Sequence, residues 1–190
     1  MRLIAWFAVV VLCGIPHVAA QGDTRHYVVD PANSAVDARV AFFAFASKTA
    51  HFPDMSGSMN LSLSDFGALN MVVDIDARTL TTGDSETRRL RGRQFFDVAH
   101  YPTVHFVGTR MELTGERTAD VAGMVTAKGI TRPISLKIVF SSPPADADTS
   151  DPISVVGSGT IDRRQFGMSA FPLIIGNQVH LTIDARMVPG

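Results

Sequence analysis

Several stretches of this chain alternate apolar and polar residues with period two. Val36, Ala38, Val40 and Phe42 fall on one side of residues 34–46, with Asp37, Arg39 and Ala41 on the other. Leu69, Met71, Val73 and Ile75 alternate with Asn70, Asp74 and Asp76. Ile134, Leu136, Ile138 and Phe140 alternate with Ser135 and Lys137. Val179, Leu181, Ile183, Ala185 and Met187 alternate with His180, Thr182, Asp184 and Arg186. Successive side chains of a strand point to opposite faces, so this period predicts strands with one buried face. Residues 26–30, 55–63, 103–113, 120–128 and 153–162 bring the expected count to eight or nine.

Turn chemistry separates these stretches: Asp30-Pro31 with Asn33, Ser64–Gly67, Gly115-Glu116, Gly129–Pro133 and Gly176-Asn177. Residues 141–152, SSPPADADTSDP, read as a polar, acidic hairpin loop. Only residues 84–92 look helical, with Asp84 or Ser85 as N-cap and Gly92 as the stop. Many short, evenly spaced strands predict an all-β sandwich or barrel. The pattern alone does not choose between them, and no internal repeat or second domain is visible.

The first twenty residues break the pattern. Arg2 precedes an apolar run from Leu3 to Ile15, Pro16 ends it, and Val18 and Ala20 occupy the −3 and −1 positions. This is the layout of a secretory signal peptide cleaved after Ala20. The run is short of the roughly 20 apolar residues a membrane helix needs. A lipoprotein cut at Cys13 is the alternative, but Leu12 stands where a small residue is wanted. The expected domains are therefore a signal peptide, 1–20, and one β domain, 21–190. The expected location is periplasmic or secreted.

Arg2 is the only charge in residues 1–20, so cleavage leaves 16 of the 17 basic residues against 18 acidic ones, a net charge of −2. No field of nucleic-acid scale follows. The one cysteine leaves with the leader, so the mature chain relies on its core rather than on disulfides.

Residues 90–106, LRGRQFFDVAHYPTVHF, carry the most specific motif. Leu90, Arg91, Phe95, Phe96, Asp97, Val98, Tyr101, Pro102 and Phe106 resemble, without a gap, a signature of the YceI family of periplasmic and secreted β-barrels. DPANSAVDARV, DMSGSMNLS, VAGMVTAKGITRPISLKIVF, GTIDRRQFGMS and NQVHLTIDARM resemble further segments of that family. The resemblance implies an extended, antiparallel, lipocalin-like barrel of eight strands with one short helical segment. It implies an isoprenoid lipid as bound ligand, of the ubiquinone or polyprenyl phosphate type. Two departures stand out: Phe42 occupies a place where the family often has histidine, and Thr49-Ala50-His51-Phe52 replaces an Arg-Gly-Arg-Phe-like step. Both remove polar groups, which weakens the head-group reading and leaves the apolar-tail reading.

A barrel of about eight strands either fills its interior with side chains or holds one ligand. Phe42, Phe43, Phe45, Phe52, Phe95, Phe96, Phe106, Phe166 and Phe171 are core candidates individually and lumen candidates collectively. Val36, Ala38, Val40, Phe42, Val73, Ile75, Phe106, Ile134, Leu136 and Ile138 are assigned to the lumen wall. Ala38, Ala44, Gly123, Gly157 and Gly159 are expected to leave room inside it. A tail would bind by area, at about 0.8 kcal/mol for each buried CH₂. Arg88 and Arg91, one helical turn apart, are the head-group candidates, because guanidinium forks suit a phosphate. The competing expectation is that this arginine cluster pairs with Asp84, Glu86 and Asp97. Arg163-Arg164 is a further candidate of the same kind.

No catalytic residue or metal ligand is assigned. His26, His51, His100, His105 and His180 stand at no H-x-H or H-E-x-x-H spacing. Gly167-Met168-Ser169-Ala170-Phe171 lacks the last glycine of a nucleophile elbow. Asp74 and Asp76 share a strand face about 7 Å apart, with solvated side chains as the default. The chain reads as a non-enzymatic carrier with no cofactor, an isoprenoid lipid ligand, no nucleic-acid partner and room for a transient membrane contact; its oligomeric state is left open. An enzyme acting on a small amphiphile in the same cavity, and an interaction protein with a filled barrel, stay open as alternatives.

Overall fold

The computed structural model describes residues 24–43, 46–62, 65, 67, 69–146, 148 and 150–190. The expected leader, with Cys13 and the Ala20–Gln21 junction, lies outside them, as do Ala44 and Phe45.

Among the described residues, ten strands form one antiparallel sheet: β1 Thr24–Val29, β2 Ala35–Phe42, β3 Ala46–Phe52, β4 Met55–Ser62, β5 Asn70–Asp76, β6 Thr103–Gly115, β7 Thr118–Ala127, β8 Ile130–Phe140, β9 Ile153–Asp162 and β10 Ile175–Pro189. The order is β1-β4-β5-β6-β7-β8-β9-β10-β2-β3, and β1 also pairs with β10. That last pairing, Tyr27 with Pro189 and Val29 with Met187, closes eight strands into a barrel. The hairpin β2–β3 is additional to the eight.

One edge of β10 is shared. Its lower end, residues 187–189, pairs with β1, and its upper part pairs with β2 from Asp184–Ala35 to Ile175–Phe42. Between β1 and β2 the chain steps sideways through a 3-10 turn at Pro31–Asn33. Asp30 caps it, accepting from the Ala32 N–H through its carboxylate. The wall therefore rises above the eight-stranded ring on the β2–β3 side.

The long connection between β5 and β6 fills the remaining upper wall. Thr81 bridges to His51 of β3 by two backbone hydrogen bonds. The connection then forms α1, Glu86–Arg91, the only α-helix among the described residues. Ser85 stands at the N-cap but makes no side-chain cap; the Glu86 N–H donates to the Asp84 carboxylate instead. Gly92 ends the helix, its N–H donating to the Arg89 carbonyl. Basic residues in the last turn complement the helix dipole there.

Three expectations from the sequence need correction. The apolar run 34–46 is not one long strand: β2 ends at Phe42, and the largely polar residues that follow form β3. Pro133 lies within β8 opposite Met124, not in a turn. Its missing N–H is tolerated because β8 pairs with β9 only from Lys137 onward, leaving the upper edge of β8 unpaired by that neighbour. Gly176-Asn177 lies inside β10, at a register shift between Ile175 and Val179 rather than at a turn.

The inward glycines do not leave voids. A Cβ at Gly123 would stand 2.6 Å from the Phe106 ring and 2.5 Å from the Val107 carbonyl oxygen. Gly159 lies under Leu136, and Gly157 lies against Ile138 and Ile183. Large neighbours already occupy the space each glycine opens.

Candidate functional site

The inward faces of the strands enclose an elongated cavity of ≈280 Å³. All ten residues assigned to the lumen from the sequence lie on its wall: Val36, Ala38, Val40, Phe42, Val73, Ile75, Phe106, Ile134, Leu136 and Ile138. Period-two alternation brings them together, because each strand shows the cavity every second residue. On β10 the wall includes Ile175 at the top and Met187 at the bottom. The twelve residue-to-residue steps between them, at about 3.3 Å rise, span about 40 Å of strand, or about 30 Å along the axis at ordinary barrel tilt. The enclosure is therefore long and narrow in one direction.

Methionine is the further sequence signal for this wall. Met55, Met59, Met71, Met111, Met168 and Met187 are also on the wall. Their flexible, polarizable side chains conform to an irregular apolar surface.

Polar wall residues gather where β2 ends and α1 begins: Lys48, Thr49, Thr82, Glu86 and Arg89, together with Arg163. Lys48 Nζ donates to Asp84 Oδ2 at 2.6 Å. The hydrogen bond from Lys48, with those from the Thr82 hydroxyl and the Glu86 N–H, lowers the Asp84 carboxyl to about 2. The same bond raises Lys48 above its ordinary value. Arg89 pairs with Glu86 at 2.7 Å and stands 5.5 Å from the centroid of the Phe171 ring. The Phe171 ring stacks on Phe95 at 6.3 Å, and Phe52 meets Phe96 edge to face at 5.4 Å.

The two head-group candidates from the sequence are not on this wall. Arg91 donates from Nε and Nη2 to the Leu80 carbonyl, at 3.0 and 2.6 Å, and so ties α1 to the chain below it. Arg88 is exposed. The reason is the helical period. Leu90 marks the inward face of α1; Arg88, two residues away, points almost opposite, whereas Glu86, four residues away, shares that face. The cluster expectation is realised in part: Glu86 pairs with Arg89, Asp84 takes Lys48 instead, and Asp97 takes His100.

Arg163 is 4% exposed and, among the described residues, bonds to backbone carbonyls. Nε donates to Gly176, Nη1 to Met168 and Ala170, and Nη2 to Ile175. Burial lowers its pKa from the ordinary guanidinium value. It pins the 167–176 segment to the top of β9. Its neighbour Arg164 turns outward to Asp162, which it holds below the usual carboxylate range.

The other titratable groups singled out from the sequence face outward. Asp74 pairs with His105 at 2.6 Å, and Asp76 with Arg78 at 2.7 Å, so the two carboxylates do not act as a pair. His51 pairs with Asp37 and His100 with Asp97; His26 meets Asn60, and His180 meets Thr160. Among the described residues no three histidine, cysteine, aspartate or glutamate side chains converge as metal ligands would.

The barrel has solved counterparts at low sequence identity. The Burkholderia cenocepacia protein BcnA superposes with a TM-score of 0.73 at 20% identity, covering 83% of this chain and 98% of that one. A polyisoprenoid-binding domain from Saccharophagus degradans gives 0.67 at 15% identity, covering 86% and 98%. The Campylobacter jejuni YCEI protein gives 0.68 at 18%, covering 78% and 88%. In sequence, a UPF0312 protein of Pseudomonas savastanoi is 29% identical over 153 residues, 79% of this chain and 80% of its own length. The YceI-like domain matches residues 27–187, from the first strand of the barrel to the last, and the chain belongs to that family.

Proposed function

We propose that this protein is an exported, non-enzymatic carrier that holds the tail of an isoprenoid lipid, of quinone or polyprenyl phosphate type, in the barrel cavity. The observation that carries this reading is the wall itself. It is apolar along its length, and its charged groups stand only where β2, α1 and the 163–176 segment meet. Such a wall favours a long hydrocarbon, each buried CH₂ adding about 0.8 kcal/mol. The name of the Saccharophagus neighbour, a polyisoprenoid-binding domain, agrees with that ligand class. The charged groups of the wall are already engaged: Lys48 with Asp84, Glu86 with Arg89, and Arg163 with four carbonyls. This supports sequestration or transfer over bond-making chemistry. The open cavity supports carriage over a filled barrel.

Native mass spectrometry of protein from a bacterial host, followed by solvent extraction, tests the reading. Wild type should carry a bound isoprenoid lipid. Ala38→Trp should remain folded and lose it, because the added ring occupies the tail's path at an overpacking cost of about 1–3 kcal/mol. A wild type that never carries lipid favours the filled barrel, and a folded Ala38→Trp with a full load refutes the assignment of the wall.

A further inference from the structure

The upper end of the barrel exposes large apolar side chains. Leu173 is 96% exposed and Phe43 60%. They lie on neighbouring segments, because the Phe43 N–H donates to the Ile174 carbonyl at 2.8 Å. Phe171, 38% exposed, follows on the same segment. Phe43 and Phe171 both have left-handed backbone, at φ 52° and 53°, a conformation unfavourable for a bulky residue. The fold holds that strain while presenting aromatic rings to solvent beside the polar upper end of the cavity, its entrance in the carrier reading.

Contacts join the segments around this end into a ring. Lys48 reaches Asp84, Arg89 reaches Phe171, and Lys128 donates to the carbonyls of Arg93 and Gly167. Charge is concentrated in the same ring. Lys48 with residues 81–93, 128–129 and 162–175 contain eight of the chain's 17 Lys and Arg residues, of which Arg163 is buried, but three of its 18 Asp and Glu. The remainder of the chain is correspondingly acidic. An exposed apolar tip inside a basic collar fits a surface that is anionic outside and hydrocarbon within.

The geometry points to docking of this end on an anionic phospholipid bilayer, with Phe43, Phe171 and Leu173 entering the interface and the basic collar lying on the head groups. Resting on the carrier reading, this deepens it: the cavity opens toward the bilayer, so a tail passes between membrane and barrel without crossing water.

Vesicle flotation tests the docking. The probes are vesicles of equal parts phosphatidylglycerol and phosphatidylcholine, and vesicles of phosphatidylcholine alone. Wild type should float with the anionic vesicles, less with the neutral ones, and less at high salt. Phe43→Ser with Leu173→Ser should weaken binding at least about tenfold, the scale for withdrawing a large apolar side chain from an interface. Leu173→Ser alone, at a side chain with almost no packing to lose, should give part of that loss. Val139→Ser with Val156→Ser makes the same chemical change at exposed positions toward the lower end of the wall, and should float like wild type.

A wild type that does not float overturns the proposal, as does equal loss in the lower-end variant. So does a patch whose mutation dissolves a dimer without altering flotation, which would assign it to a second copy. Co-extracted lipid, measured on the same preparations, separates the two readings. Lipid-loaded protein that stays off vesicles refutes docking alone, and floating protein that never carries lipid refutes carriage alone.

Discussion

Two adjacent arginines show how far one residue's neighbours decide its role. Arg163 and Arg164 share a sequence motif, yet the first is buried against four carbonyls and the second is exposed on Asp162. Replacing Arg163 by Met leaves four carbonyls at the top of the barrel to find other donors. Hydrogen bonds to a charged group and the desolvation of orphaned carbonyls together predict a loss of about 3 kcal/mol or more. Arg164→Met should change stability little, as exposed pairs do. Urea denaturation of the two variants beside wild type measures both; equal losses would refute the structural role given to Arg163. Gly123 makes a related point. The sequence marks it as small, but only the structure shows the Phe106 ring lying over it.

At the scale of elements, the Lys48–Asp84 pair ties the β2–β3 hairpin to the connection that carries α1. Asp84 titrates at about 2 in the folded protein against an ordinary 3.8. A lowered carboxyl pKa contributes stability that is fully present above the ordinary value and lost as pH falls through the folded one. The difference in Tm between wild type and Asp84→Asn should therefore be largest above about pH 4 and shrink toward pH 2. Asp76 and Asp162 are also lowered, by Arg78 and Arg164, but both are present in the two proteins and cancel in the difference. A difference that stays constant with pH would show that the Asp84 carboxylate does not contribute as a charge. The helix itself was legible from Asp84 to Gly92, with its face marked by Leu90. Arg88 and Arg91 lie off the cavity wall; their spacing shows that they lie near one another, not which way they point.

For the whole molecule, closure of the barrel depends on the two chain ends of the domain. β1 and β10 pair at Tyr27–Pro189, and β10 then serves β2 on the same edge. β1 thus starts at the lower end, opposite the proposed membrane-facing end. Val18 and Ala20 predict cleavage to give Gln21 as the first mature residue. N-terminal sequencing of protein recovered from the exported fraction should read Gln21. A diacylglyceryl group on Cys13 would instead make the protein a tethered lipoprotein and overturn the expectation.

By itself, the sequence determined the strands and their faces. Period two is a local property, and it placed Val36, Val73, Ile134 and their neighbours on one surface because the solvent-facing positions were polar. The 90–106 motif added closure into a barrel, which alternation cannot supply: a sandwich and a barrel have the same period. Tertiary structure alone decided the rest. It divided residues 34–52 into a hairpin, because β3 carries polar Ser47, Lys48 and Thr49 at the entrance and shows little alternation until Ala50 and Phe52. It chose Arg89 over Arg88 and Arg91 at the entrance, because α1 is oriented by the packing of Leu90 and by the Arg91 bond to Leu80. It also brought Phe43 beside Ile174, residues 131 positions apart, through one backbone hydrogen bond. No local pattern encodes such proximity, since it exists only once the strands between have closed the wall.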